Sequence, residues 1–216
     1  MSDYKRNQIE EAISRVLEPR LQKPTAEMRT RLKRLLETDR ALGRVPHSSN
    51  PERANYAFYS AEAPGSGVEV WFSEYEAFAL LNGLRLMAHG WPQGFAASVM
   101  RRVRPELEGQ HARILKQDAK TLFDQEAIRR NAEAGDMAFD TTDPVLLTIV
   151  SNSGVAPNEQ GEPHRCAICR GPQEAMKFAR EASTGAGAWT LFEVATVAHK
   201  LSNALGRTEP RRRGRS

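Results

Sequence analysis

Three side chains that can bind a metal or react with an oxidant, His164, Cys166 and Cys169, lie close together in the C-terminal half of the chain. A structural zinc ion takes four ligands in a tetrahedron, and a Cys-x-x-Cys pair usually binds it from a turn. These residues fall on a predicted strand, in which positions three apart point to opposite faces. The sequence therefore predicts two ordinary buried cysteines, no metal site and no cofactor, with a redox-sensing dithiol as the alternative.

The sequence lacks the motifs that mark common enzyme sites. The glycine-containing string at 182–187 has neither the lysine nor the preceding strand that a phosphate-binding loop needs. There is no nucleophile elbow, and no carboxylate pair is framed by histidine. We therefore expect no catalytic residues. A small enzyme with its site around the three residues of the previous paragraph is kept as an alternative.

The side chains best suited to bind an anion form two groups of cations on predicted helices. The first group lies on a helix of about 26–42 and the second at the end of a helix of about 93–103, and together they comprise Arg29, Arg31, Lys33, Arg34, Arg101, Arg102 and Arg104. Cations on an exposed helix face can bind nucleic-acid phosphates and release counterions, which makes affinity depend on salt. The alternative for the first group is a solvated face on which Lys33 pairs with Glu37.

The second group must be positioned by a strand, a helix, a short turn and a second helix. Residues 68–72 alternate between apolar and polar positions, as in a half-buried strand. Ser73 and Glu76 have the spacing of a capping box, which starts a helix. Gly90, followed by Trp91-Pro92, ends that helix, and the second helix runs from about Gln93 to Val103 with its arginines exposed.

The first group must be positioned by the elements before that strand. The apolar spacing predicts a helix over about 8–18, capped by Asn7 with Glu10, and a second helix over about 26–42 with Thr25 as its cap. Residues 43–54 are rich in turn formers and predict a loop. Residues 56–59 predict a strand that forms a β-hairpin with 68–72, and this hairpin must pack on the helices because a lone hairpin is marginally stable.

This order of elements resembles the DNA-binding half of the MerR-type winged-helix transcription regulators. The motifs that carry the resemblance are Trp71-Phe72-Ser73-Glu74-Tyr75-Glu76 at the start of the helix and Ala88-His89-Gly90-Trp91 at the turn. It covers about the first half of the chain and implies a winged-helix fold, double-stranded DNA as partner and a dimer. The predicted hairpin tip carries Glu62 and no cation, so the two groups of cations would supply most of the DNA contacts.

The remainder of the chain divides into a helical link, a small module and a basic tail. Pro105 is acceptable at the first position of a helix, and residues 105–135 predict linking helices whose thin apolar seam suits a homodimer. Packing of this seam on the same chain is the alternative. Residues 136–206 predict an α+β module with strands at 145–150 and 164–170, a helix from Pro172, and a last helix opened by Thr190 and Glu193. We expect the tail, 207–216, to be disordered.

The predicted elements together make a mostly helical α+β protein, and 216 residues allow one domain of ordinary size or two small ones. The hydrophobic fraction is 40% and the charged fraction 27%, as in soluble globular proteins, and the net charge is only +4. No signal-peptide core or membrane-spanning run is found, so we expect a cytoplasmic protein without membrane contact. With residues 1–104 as the DNA-binding half, the predicted function is a sequence-specific, homodimeric transcriptional regulator whose C-terminal module senses a small molecule or protein. A protein-interaction adaptor without DNA contact is the main alternative.

Overall fold

The computed structural model describes residues 3–21, 23–60, 70–132, 137–152, 164–183 and 187–210. Within these ranges the protein is mostly helical α+β, with one antiparallel sheet of two strands and one of three, which confirms the predicted fold class at this level. The chain divides into two compact units. The first contains Met1–Pro105 with Lys200–Ser216, and the second contains Glu106–His199.

The first unit is built from a short strand ladder and a set of helices. In chain order its elements are β1 (Tyr4–Lys5), α1 (Arg6–Leu17), α2 (Ala26–Leu42), α3 (Pro51–Ala54), β2 (Trp71–Phe72), α4 (Glu74–Ala88) and the first half of α5 (Gln93–Lys116). Its core combines the apolar sides of α1 and α2 with nearly all of α4, and its largest fully buried side chains include Ile9, Ile13, Leu32, Leu35, Phe58, Phe72, Phe78 and Leu81.

The first two helices start where short-range signals place their caps. The Thr25 hydroxyl accepts from the Met28 amide at 3.1 Å, so α2 begins as predicted. The start of α1 differs from the prediction, because the Lys5 amide donates to the Gln8 side chain at 3.0 Å and the helix begins at Arg6. This bond satisfies the cap amide and replaces the predicted pairing of Asn7 with Glu10.

The predicted capping box and terminating glycine of α4 are both confirmed. The Glu76 amide donates to the Ser73 hydroxyl at 3.2 Å, and the Ser73 amide donates to the Glu76 carboxylate at 2.6 Å. Gly90 has a φ of 88°, the left-handed conformation that ends a helix at low steric cost. Within α4, a Cβ on Gly83 would lie 2.8 Å from the Leu35 Cδ2, so the glycine allows close packing against α2.

The predicted β-hairpin between 56 and 72 is wrong. Residues 55–60 are not a strand, and β2 pairs instead with β1 in an antiparallel ladder that places Lys5 opposite Trp71. The reason is that backbone groups of this segment form hydrogen bonds with side chains and not with another strand. The Asp39 carboxylate accepts from the Ala57 and Phe58 amides at 3.1 and 3.0 Å. The predicted start of the return strand and the hairpin tip lie outside the described residues.

The predicted helix boundary at Pro105 is also wrong, because Pro105 lies inside α5. Buried residues continue on both sides of the proline, with Val103 before it and Leu107 after it, so the apolar side of the helix is uninterrupted. The link after α5 forms short helices rather than one long helix. Asp118 and Asp124 accept from backbone amides that follow them and start new helices there.

The second unit contains the last part of α5, short helices and the three-stranded sheet. Its further elements are α6 (Ala119–Leu122), α7 (Gln125–Asn131), β3 (Val145–Asn152), β4 (His164–Arg170), α8 (Gly171–Ala182), β5 (Gly187–Glu193) and the start of α9 (Ala195–Leu205). The strand order is β4-β3-β5, with both pairs antiparallel. Helix α8 packs on β3 and β4 through Leu146, Val150, Cys169, Ala175 and Ala179.

The strand predictions for β3 and β4 are confirmed, whereas the predicted start of the last helix is wrong. Thr190 and Glu193 lie on β5 rather than in the first turn of a helix. The Glu193 carboxylate does cap a helix, but it accepts from the Ala195 amide at 2.6 Å and the Thr196 amide at 3.1 Å, so α9 starts later than predicted. None of the helices in the described ranges is both long and apolar enough to cross a membrane.

Candidate nucleic-acid interface

Helix α2 has one buried side and one exposed basic side, which we call the α2 basic face and define by Arg29, Arg31, Lys33, Arg34 and Arg40. These five cations share the exposed side with two carboxylates, so the surface carries excess positive charge. Arg29, Lys33 and Arg40 are separated by about whole turns and follow one line along the helix, and Arg29 and Arg40 are roughly 16 Å apart along its axis. The first four were predicted to bind nucleic acid, and all of them are exposed.

Acidic side chains lie beside three cations of the α2 basic face. Arg31 pairs with Glu27 at 2.6 Å, Lys33 with Glu37 at 3.6 Å, and Arg29 with Glu10 of α1 at 3.7 Å. The predicted Lys33–Glu37 pair is therefore observed. The pairs of Arg31 and Lys33 are exposed on both sides and contribute about 0–1 kcal/mol each, so they restrain these two side chains only weakly.

Arg101 was predicted to be exposed for contact with DNA, and this is wrong because it is buried. Only 3% of the residue is exposed, and its Nε lies 2.6 Å from the Oδ1 of Asp39, which is fully buried. Its other nitrogens donate to the carbonyl oxygens of Asp39 and of Gly43, the latter at 2.7 Å. The guanidinium balances a buried carboxylate and joins α5 to α2, so it is not available to a phosphate.

Arg104 was also predicted to be exposed, and this is wrong because it is buried by hydrogen bonds to the backbone. Its guanidinium donates to the carbonyl oxygens of Tyr56 at 2.8 Å and Tyr59 at 2.7 Å. Arg104 and Asp39 thus hold the segment 56–59 through its carbonyls and its amides, respectively. Arg102 is half-buried and its NH2 group bonds to the Glu52 carboxylate at 2.6 Å, so the predicted exposure of this third arginine is also wrong.

Sequence reasoning missed several charged and aromatic groups next to the α2 basic face. Arg6 bonds to Glu10 at 2.9 Å, and the same carboxylate is the partner of Arg29. Burial raises the pKa of the Tyr59 hydroxyl, and the positive charge of Arg40 opposes this shift. Arg40 could have been identified by extending the helical spacing from Arg29 and Lys33. Arg6 carried no such signal, because its position depends on packing between α1 and α2.

The three residues that could have bound a metal do not form a site. On β4, Cys166 is opposite Ile149 and Cys169 is opposite Leu146, so the cysteines point to different faces of the sheet as predicted. Cys169 is buried, and burial raises the pKa of its thiol, which disfavours the reactive thiolate. Within the described ranges, no three histidine, cysteine or acidic side chains are arranged to hold a metal ion.

Comparison with family models, with curated proteins and with solved structures finds no match to this chain.

Proposed function

We propose that the protein binds double-stranded DNA through the α2 basic face and acts as a sequence-specific transcriptional regulator. The observation that carries the proposal is the exposure of all five cations of this face on a helix whose opposite side is fixed in the core. A rigid helix with a cationic side suits the major groove, which admits an α-helix. Arginine also forms the commonest specific contact, with guanine, so the same face offers both backbone and base contacts.

Two of the three acidic neighbours of the face are compatible with this proposal, whereas Glu10, whose side chain is 14% exposed, stays beside Arg29. Glu27 and Glu37 are themselves exposed, at 72% and 53% of their side chains, so they can move away without losing buried contacts. A phosphate that replaces them gains Coulomb attraction and releases condensed counterions. Each such exchange gives up a surface pair worth about 0–1 kcal/mol.

The remaining parts of the proposal concern fold class and assembly. The helix pair α1–α2, the ladder of β1 with β2, and the pair α4–α5 support a winged-helix-like arrangement of the first unit, in which α2 is the DNA-contacting helix. We further propose a homodimer, because two copies would present two basic faces to neighbouring half-sites. In this scheme the second unit senses a small molecule or a protein.

A mobility-shift titration on random duplex DNA at two salt concentrations tests the proposal. The variant exchanges Arg29, Lys33 and Arg34 for glutamine, and the matched control exchanges Lys120, Arg129 and Arg130, three exposed cations of the second unit, for glutamine. Removal of three phosphate contacts should weaken binding at least tenfold and reduce the slope of log affinity against log salt by about 2–3, since each contact contributes roughly 0.9. The control should match the wild type.

Two outcomes would reject the proposal. The first is a wild-type protein that does not bind duplex DNA at low salt. The second is a variant in which affinity and salt slope equal those of the control, which would remove α2 as the contact surface.

A second candidate function is a protein-interaction adaptor without DNA contact. The observation that favours it is that three cations of the α2 basic face already have acidic partners. A protein partner would use the same face through acidic side chains of its own. Salt-dependent binding to a protein in place of duplex DNA would distinguish this function from the first.

A further inference from the structure

Trp71 is a large apolar side chain that remains 48% exposed on a two-residue strand. Its cross-strand partner is Lys5, and the Lys5 ammonium lies 4.9 Å from the centre of an indole ring. The neighbouring residue on the strand, Phe72, is fully buried, so the ladder alternates one core side chain with one surface side chain. The pair Lys5–Trp71 therefore presents a cation and an aromatic ring together at the surface of the first unit.

Chain adjacency and two ion pairs link this pair to the α2 basic face. Lys5 precedes Arg6, Arg6 bonds to Glu10 at 2.9 Å, and Glu10 lies 3.7 Å from Arg29. Arg6 and Arg29 thus share the Glu10 carboxylate, and the exposed indole of Trp71 lies next to Lys5, the residue before Arg6.

We propose that Lys5 and Trp71 form a second contact with double-stranded DNA, on the sugar-phosphate backbone beside the groove that α2 occupies. This inference rests on the proposed function and adds a specific site to it. Lys5 supplies a charge for a phosphate oxygen, and the indole N–H supplies a hydrogen-bond donor, while the ring covers the apolar face of a deoxyribose. The indole has few rotatable bonds, so ordering it on binding costs little entropy.

The same pair could instead stack on unpaired bases, because a tryptophan ring is also a platform for single-stranded nucleic acid. The length and exposure of α2 favour the duplex, since a straight basic helix matches a groove of fixed width better than a flexible strand. The two possibilities differ in a measurable way. Backbone contact predicts tighter binding to the duplex, and stacking predicts tighter binding to the single strand of the same sequence.

The experiment compares Trp71→Phe, Trp71→Ala and Lys5→Gln with the control Trp189→Phe, whose tryptophan is 40% exposed in the second unit. Dissociation constants are measured by fluorescence anisotropy for one duplex and its single strand, at two salt concentrations. Trp71→Ala should weaken duplex binding about tenfold with an unchanged salt slope, and Trp71→Phe should be intermediate because it keeps the ring and loses the donor. Lys5→Gln should reduce the slope by about 0.9.

The outcomes separate this inference from the proposed function. If the wild type binds duplex DNA with a steep salt dependence and the Trp71 and Lys5 variants bind as tightly as the control, the second contact is absent and the proposed function stands. If the wild type prefers the single strand, the backbone contact is overturned. If the wild type binds neither, both proposals fail. Circular dichroism melting of each variant establishes that a loss of binding is not a loss of fold.

Discussion

The cations of α2 and the arginines at the middle of α5 have opposite positions in the folded chain, although both groups were predicted to contact nucleic acid. On α2 they are exposed and their acidic partners are mainly neighbours one helical turn away. On α5, Arg101 is buried against Asp39, a residue 62 positions earlier in the sequence. The sequence shows how many cations a segment contains. It does not show whether a carboxylate far away in the sequence binds one of them and buries it, as Asp39 does with Arg101.

The largest test of this comparison is the exchange of Arg101 for methionine, matched by Arg34→Met on the α2 basic face. Arg101→Met leaves the Asp39 carboxylate buried without its charge partner, and we expect the free energy of unfolding to fall by about 3–5 kcal/mol. Arg34→Met removes an exposed guanidinium, and we expect a change within about 0.5 kcal/mol. Urea denaturation followed by circular dichroism measures both. Equal effects of the two exchanges would show that the burial of Arg101 contributes nothing to stability.

His111 on α5 is a second buried basic side chain, but unlike Arg101 it is buried in its neutral form. It is 5% exposed on α5, and burial lowers its pKa to about 4, with the nearby His199 as a smaller cause. Because the folded pKa lies below the unfolded value of 6.5, the unfolded chain binds the proton first. The free energy of unfolding should therefore be independent of this group above about pH 6.5 and fall by roughly 3 kcal/mol as the pH drops to about 4.

The variant His111→Gln removes this titration and should flatten the dependence of stability on pH between about 6.5 and 4. The control is His47→Gln, since His47 is exposed. Urea denaturation at a series of pH values measures the slope for each protein. A wild-type slope that His111→Gln leaves unchanged would contradict the assignment.

A smaller effect, at Gly83, tests the side of α2 opposite the basic face. A Cβ there would lie 2.8 Å from the Leu35 Cδ2 and 3.1 Å from the Phe58 Cζ, and both side chains are fully buried. Gly83→Ala should therefore lower the free energy of unfolding by about 1–3 kcal/mol. Gly109→Ala on α5 is the matched control, because nothing lies within 4 Å of its added Cβ. It should raise stability by about 0.5–1 kcal/mol, and the opposite order would show that α2 packs less tightly than described.

Features with short-range causes could be predicted from the sequence. Thr25 caps α2 and Ser73 with Glu76 starts α4, because each cap involves atoms within a few residues of one another. Strand β4 was predicted at its observed bounds, because the residue pattern and the turn formers before it agree. Of the candidate site, four of the five exposed cations of α2 were predicted for the same reason, since helical spacing alone separates them from the buried Leu32 and Leu35.

Features with long-range causes could not be predicted in this way. The aromatic segment 56–59 has the composition of a strand, but its amides bond to Asp39 and its carbonyls to Arg104, and neither partner is signalled by spacing. Glu193 was identified as part of a helix start, yet pairing of β5 with β3 delayed that helix until Ala195. The contact of Lys5 with Trp71 likewise depends on the pairing of two strands far apart in sequence.

The Asp39 carboxylate also protects two amides of the segment 56–59 from hydrogen exchange. The amide protons of Ala57 and Phe58 are held by a side chain of α2, and α5 in turn holds that side chain through Arg101. These two protons therefore exchange with deuterated solvent only when the segment 56–59 leaves the Asp39 carboxylate. Two amides in a segment without regular secondary structure thus report on whether that segment stays packed on α2.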